Sequence, residues 1–230
     1  MSLLNSNEGK NKIIQVDGNS YARFPIQTHV ITEQDNITDI ARQYAARYIQ
    51  EGDILFISEK ALACSQNRAI PLDRIRPRKL AHVLTRFVYK SPYGIGLGIP
   101  ETMEMAFQEC GRLRILFAAF ISLIGKLLGK RGWFYKIAGS RAASIDGPEP
   151  YTLPPYNKCV ILKPARPNDV ALEISQHLGI ACVIVDVNDL GSKILATSDF
   201  SINHITRILK DNPLGQGNQC TPMGIIRQID

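Results

Sequence analysis

Two short apolar runs limit what this chain can fold into more than any other feature. Asp53-Ile-Leu-Phe-Ile-Ser58 and Ala181-Cys-Val-Ile-Val-Asp186 are apolar at nearly every position between their ends. A strand wet on one face alternates apolar and polar residues, whereas an unbroken run marks a strand covered on both faces. Each run therefore predicts a strand inside a sheet, with helices to cover it. Ile37, Ile40, Ala41, Tyr44, Ala45, Tyr48 and Ile49 recur at helical spacing, opened by Asn36 and closed by Gly52. Lys79–Val88 and Asp169–Leu178 predict two more helices, and the second lies between a strand at Cys159–Leu162 and the 181–186 run. Strands and helices mixed in this way make the class α/β or α+β.

The remaining segments carry weaker patterns. A short strand is expected within 23–31, a helix over 101–110, and an apolar stretch over 115–124. Tyr93–Pro100, where glycine alternates with apolar residues, predicts a strand packed close to a neighbour, with a phosphate-approaching loop as the alternative. Residues 139–155 are expected as loop, followed later by a helix near 202–210 and a strand at 223–226. Residues 1–20 are expected as a flexible arm, and 21–230 as one domain with room for two subdomains.

Composition removes several classes. The 230 residues are 45% hydrophobic, too apolar for disorder. The longest apolar run, Ile115–Ile124, is far short of the roughly 20 residues that cross a bilayer. The polar start MSLLNSNEGKNK lacks the order of a signal peptide, so a cytoplasmic protein without membrane association is expected. Lys and Arg number 27 against 21 Asp and Glu, a net +6 that favours anionic ligands. The basic residues are scattered apart from clusters at 74–79 and 126–136, without interleaved aromatics, so nucleic acid is not an expected partner. Five cysteines without a CxxC pair, and four separated histidines, exclude a disulfide framework and a zinc ribbon.

Three acidic or basic clusters are candidates for chemistry. Asp186, Asn188 and Asp189 follow a buried strand, where open sheets collect ligands, and their oxygens suit Mg²⁺ or Mn²⁺. Turn and cap roles suit the same residues equally well. Asp146-Gly-Pro-Glu149 offers two further carboxylates, although such a segment alone is ordinarily a turn. Ser58-Glu59-Lys60 ends the other buried run and offers an ammonium to a phosphate, against the commoner reading of a solvated lysine. Gly125-Lys-Leu-Leu-Gly129-Lys130-Arg131 is no Walker loop: it is one residue short, and Arg131 stands where a metal-holding hydroxyl is required.

Taken in order, these segments resemble the coenzyme F420-0 γ-glutamyl ligases. Val187-Asn-Asp-Leu-Gly-Ser192 is similar to the family's Ser-Asp-Thr-Phe-Gly-Arg, and Asp53–Arg68 to its Asp-Ile-Val-Val-Thr-Ser-Lys-Val-Val-Ser-Lys-Ala-Glu-Gly-Arg. Phe24-Pro25-Ile26 resembles an early Leu-Pro that contacts nucleotide. Leu214-Gly-Gln216 and Thr221–Arg227 are similar to a Met-Gly-Glu and a terminal strand. Departures accompany the likeness: Cys64 takes the place of a second lysine, and Gly139–Ser144 replaces a Cys-Ala-Asn-Ala-Gly stretch.

The resemblance implies an α+β fold of mixed sheets with flanking helices, working as an intertwined homodimer. It implies a GTP- and divalent-metal-dependent ligase that adds L-glutamate, or a similar amino acid, to a carboxylate-bearing acceptor such as F420-0 through an acyl phosphate. By the same resemblance Asp146, Asn188, Asp189 and Gln216 hold Mg²⁺ or Mn²⁺. Phe24, Pro25, Ile26, Glu59, Lys60 and Glu149 meet the nucleotide, and Lys60 and Asp189 carry catalysis. Its partners would be the nucleotide and a small acceptor. The alternative is a nucleotide- or phosphate-binding protein on the same scaffold with altered catalysis, for which Cys64 speaks.

Overall fold

Phe56 and Ile57 are adjacent and fully buried on opposite faces of one sheet, as the unbroken run 53–58 requires. The computed structural model describes residues 5–88, 95–130, 132–188, 191–199, 204–215 and 217–229. The chain divides into two units, one formed by Met1–Asn67 with Pro164–Asp230 and the other by Arg68–Lys163.

The first unit begins with β1 (Ile13–Val16), β2 (Asn19–Ile26), α1 (Ile37–Ala45), β3 (Ile54–Ser58) and α2 (Glu59–Ser65). The second follows with β4 (Ala69–Pro71), α3 (Lys79–Thr85), α4 (Pro100–Cys110), α5 (Arg112–Leu127), α6 (Trp133–Ala138), α7 (Ser140–Ala143) and β5 (Cys159–Ile161). The chain returns to the first unit with α8 (Pro167–Leu178), β6 (Ala181–Asn188), β7 (Gly191–Thr197), α9 (Ile205–Ile208) and β8 (Met223–Ile229).

Among the described residues the first unit is built on a six-stranded sheet of order β1-β2-β8-β3-β6-β7. Every neighbouring pair is antiparallel except β3 and β6, which run parallel in the register Ile54↔Ala181 to Ser58↔Val185. Leu55, Ile57, Cys182, Ile184, Met223 and Ile225 point to the face covered by α1, α2 and α8. Phe56, Val183, Val185 and Ile226 point to the other, where Ile205, Ile208, Leu209 and Leu214 cover them. Burial pushes the Cys182 thiol up to about 12, so it remains a neutral core group.

Local chemistry sets the helix ends. The Asn36 side chain accepts hydrogen bonds from the amides of Thr38 at 2.8 Å and Asp39 at 3.3 Å, which caps α1. Pro167 opens α8 at its first position, and Gly179 at φ 70° closes it. Two ion pairs brace the sheet. The guanidinium of Arg227 reaches both oxygens of buried Asp53, at 2.8 and 2.7 Å. Fully buried Arg23 donates to Asp211 and to the Ile208 carbonyl, tying β2 to the segment after α9.

The second unit packs its helices around a separate core that includes Leu97, Met103, Phe107, Ile115 and Val160. Its small sheet pairs β4 with β5 antiparallel. Arg68 and Arg78 meet the carboxylates of Glu109 and Glu104 there, the latter almost fully buried.

Several sequence expectations need correction. Residues 13–20 are not a flexible arm: β1 and β2 form a hairpin across Asp17-Gly18, both at positive φ, the geometry that an Asp-Gly turn favours. Ahead of it, Asn7 donates to the Pro213 carbonyl and Lys10 to that of Asp211. The strand expected within 23–31 instead starts earlier and ends at Ile26. The described part of the glycine-rich segment is a turn, with the Gly98 amide on the Ile95 carbonyl; Tyr93 and Gly94 lie outside the described residues. The apolar 115–124 stretch belongs to a 16-residue helix, separated from α4 by Gly111 at φ 84°. The expected loop 139–155 contains the short α7, and β7 is a strand that the sequence reading lacks.

The close approach of β8 to its neighbours yields a test. A Cβ at Gly224 would lie 2.5 Å from the Phe56 ring and 2.8 Å from the Phe24 carbonyl oxygen. Gly224→Ala is expected to lower stability by about 1–3 kcal/mol, read from urea denaturation. An unchanged midpoint would contradict this packing.

Candidate functional site

The register places three strand ends together. Ile26 pairs with Met223, Met223 with Ile57, and Ile57 with Ile184. β2, β3 and β6 run in the same direction, so their C-terminal ends open on one edge of the sheet. Gln27–His29 and Glu59-Lys60 leave the sheet there, and β6 runs on past Ser58 through Asp186–Asn188, which pair with β7. The lead-in to β8 joins them: the Thr28 amide donates to the Cys220 carbonyl at 3.0 Å and the Ser58 amide to that of Pro222 at 2.9 Å. The Thr221 hydroxyl donates to the Leu214 carbonyl at 2.7 Å, which draws the segment preceding Gln216 to the same end.

Each sequence candidate has a definite place. Lys60 is half-buried in the first turn of α2, immediately beyond β3. Glu59 is buried beside it, at a helix start where a negative side chain is favoured. Cys64 lies one helical turn after Lys60 and is itself buried, so the place of the second lysine faces the interior. Phe24 is half-buried, with the Lys12 ammonium 5.2 Å and the Arg227 guanidinium 5.3 Å from its ring centre. Pro25 is buried within β2, and Ile26 belongs to the core on the face of α1 and α8. Asn188 is half-buried at the end of β6, paired with Gly191 of β7. Asp189 and Gln216 lie outside the described residues.

Asp146 and Glu149 belong to the second unit. The Asp146 backbone exchanges two hydrogen bonds of 2.9 Å with Ile161. Glu149 accepts the Ile95 amide at 3.0 Å, and Gly147 leaves no room for a Cβ against Ile95. Both features fix the 95–98 turn on the 146–149 loop.

Sequence reasoning missed a polar cluster at the sheet edge. His29 Nε2 lies 3.1 Å from a carboxylate oxygen of Asp35, and its Nδ1 lies 2.8 Å from the Tyr44 hydroxyl. A carboxylate only accepts, so Nε2 carries the hydrogen; in the neutral ring Nδ1 then accepts the Tyr44 proton. The Thr32 amide donates to Asp35 at 2.7 Å, and with His29 it holds the carboxyl below its ordinary value. The available signal was the nearness of His29 to Phe24-Pro25-Ile26, but a lone exposed histidine has no periodicity to announce it.

The edge carries the Lys60 ammonium together with the acidic Glu59 and Asp186, while Asp35 and Tyr44 engage both ring nitrogens of His29. Among the described residues no three His, Cys, Asp or Glu side chains gather as a metal-holding group, so the described donors by themselves do not make a metal centre. No helix among the described residues is long and apolar enough to cross a membrane.

A mixed sheet with flanking helices and a polar edge built from three strand ends defines an α+β scaffold of the kind the sequence motifs implied. The chain belongs to the F420-0:gamma-glutamyl ligase family, whose model matches residues 25–189. The family's name is that of a ligase joining glutamate through a C–N bond. A search of curated proteins finds no match.

Asp35 offers a pH-resolved test of the cluster. Its folded pKa is depressed, so its contribution is fully present above the unfolded value of roughly 3.9 and is lost as pH falls through the folded value. Asp35→Ala is expected to cost about 1 kcal/mol or less at neutral pH, and the gap from the parent should close as pH falls through the depressed folded value. Equal stability of the two proteins at pH 7 in chemical denaturation would refute the arrangement.

Proposed function

We propose that the protein is a GTP-dependent amide ligase that joins L-glutamate, or a similar amino acid, to a small acceptor bearing a carboxylate. The family supports a ligase forming C–N bonds with glutamate. The single observation that carries the reading to a site is the register that opens β2, β3 and β6 on one edge with Lys60 and Asn188 upon it. In this reading an acceptor carboxylate oxygen attacks the γ-phosphorus, the bond to the β-phosphate oxygen breaks, and GDP leaves. The amine of glutamate then attacks the acyl carbon, phosphate departs, and the amine nitrogen loses its proton. Two anions must meet in the first step, so fixed positive charge at the sheet edge is the main requirement.

Lys60 supplies that charge from the start of α2, and its place at the end of an interior strand fixes its backbone. A divalent ion, Mg²⁺ or Mn²⁺, would neutralise further phosphate charge when bound, as the family resemblance implies. A homodimer comes with the same resemblance, and a cytoplasmic setting is the expectation from composition. One observation favours a second reading. Cys64 is buried where the pattern has another lysine, so a cation is missing, and a nucleotide-binding protein without turnover would follow.

The test uses labelled glutamate, GTP, Mn²⁺ and a small-molecule extract, read by mass spectrometry. The ligase reading expects a glutamyl adduct formed in step with GDP. GDP-free nucleotide binding without an adduct would favour the second reading, and neither binding nor adduct would remove both. Lys60→Ala is expected to lower turnover about 10²-fold or more at an unchanged melting temperature. Parental turnover in that variant would refute the role of Lys60.

A further inference from the structure

α5 is apolar on both of its faces, and among the described residues only one of them is covered. Ile115, Ala118 and Gly125 are buried toward the core, with Gly125 close against the Trp133 ring. At 3.6 residues per turn, Leu113, Phe117, Phe120, Leu123 and Leu127 fall within about a third of the circumference on the opposite side. They are 54% to 83% exposed. A helix apolar all round is ordinarily buried, and five large exposed side chains in one stripe exceed the scattered apolar residues of a normal surface.

The charges on the segment that carries the stripe are all of one sign. From Cys110 to Ile145 the sequence contains seven Lys and Arg and no Asp or Glu. Arg112, Arg114, Lys126, Lys130 and Lys136 are exposed. Arg114 donates to the Ile137 carbonyl and Lys126 to that of Phe87, and Lys130 lies over the Trp133 ring. Arg114 flanks the stripe on one side, and Arg112 and Lys126 flank it on the other.

Pairing of two copies through α5 itself would be poorly matched here. Parallel or antiparallel pairing of two α5 helices brings cation against cation, with no carboxylate on the segment to separate them. A surface that is apolar in depth and anionic at its boundary matches both properties. At 16 residues the helix is too short to span a bilayer, but it has the length and flanks of one lying in the headgroup plane. We propose that the exposed face of α5 docks the protein on anionic phospholipid bilayers as a peripheral membrane protein. This revises the expectation of no membrane association, and it is independent of the ligase reading.

Flotation with vesicles tests it, comparing phosphatidylglycerol mixed into phosphatidylcholine with phosphatidylcholine alone. The full chain is expected to float with the anionic vesicles, and about 0.5 M salt should weaken that binding about tenfold. Phe117→Glu with Phe120→Glu should abolish flotation at an unchanged melting temperature, because both side chains are exposed. Lys126→Gln with Lys130→Gln should remove the preference for anionic lipid. The proposal is overturned by no flotation with anionic vesicles, by equal flotation with neutral ones, or by a double-glutamate variant that still floats. Sedimentation showing a dimer that the double-glutamate variant splits into monomers would make this face a contact between copies instead.

Discussion

The parallel pairing of β3 with β6 is the constraint from which the first unit follows. A parallel pair requires a crossover connection, and both strands lie interior to the sheet, so both faces need cover. α1, α2 and α8 cover one face, and α9 with Leu209 and Leu214 covers the other. The pairing also aligns the C-terminal ends of the two strands. Ser58 and Val185 stand opposite each other, so the residues that follow both strands are delivered to the same edge. β8 then carries the register across to β2, and the third polar segment arrives through Met223 and Ile26.

That geometry explains what the sequence made legible. The runs 54–57 and 181–185 are apolar throughout because each residue meets a covered face, and this pattern is visible without coordinates. β7 was invisible for the opposite reason. It lies at the sheet edge, only Ala196 of Gly191–Thr197 is buried, and Gly191-Ser-Lys reads as turn. β1 is short and pairs on one side only, so Asp17-Gly18 was its one readable signal. Pro25 argues against an interior strand, yet β1 pairs with β2 only as far as Ala22, and among the described residues Pro25 faces no strand on that side. The helix over 112–127 was legible as apolar composition, while its unpartnered face was not, because exposure is a property of the packed unit.

The candidate site divides in the same way. Lys60 was readable because a polar residue directly after a buried run must emerge at a sheet end. The His29, Asp35 and Tyr44 cluster was not, because three residues drawn from the loop after β2 and from α1 have no common spacing. Ile26 and Glu149 show the limit of carrying positions across by resemblance. Ile26 fills the core, and Glu149 holds the Ile95 amide, so both have structural work of their own. Cys64 is the departure with the clearest physical meaning, since a buried thiol cannot replace an ammonium toward phosphate.

The central claim is that the edge where β2, β3 and β6 end is the nucleotide site. Amide hydrogen exchange with GTP and Mn²⁺ measures it directly. The account predicts slowed exchange in peptides covering 26–29, 58–62 and 186–188, with the opposite sheet end around 50–54 unchanged. Protection confined to that opposite end, or no protection at a GTP concentration that saturates binding, would contradict it.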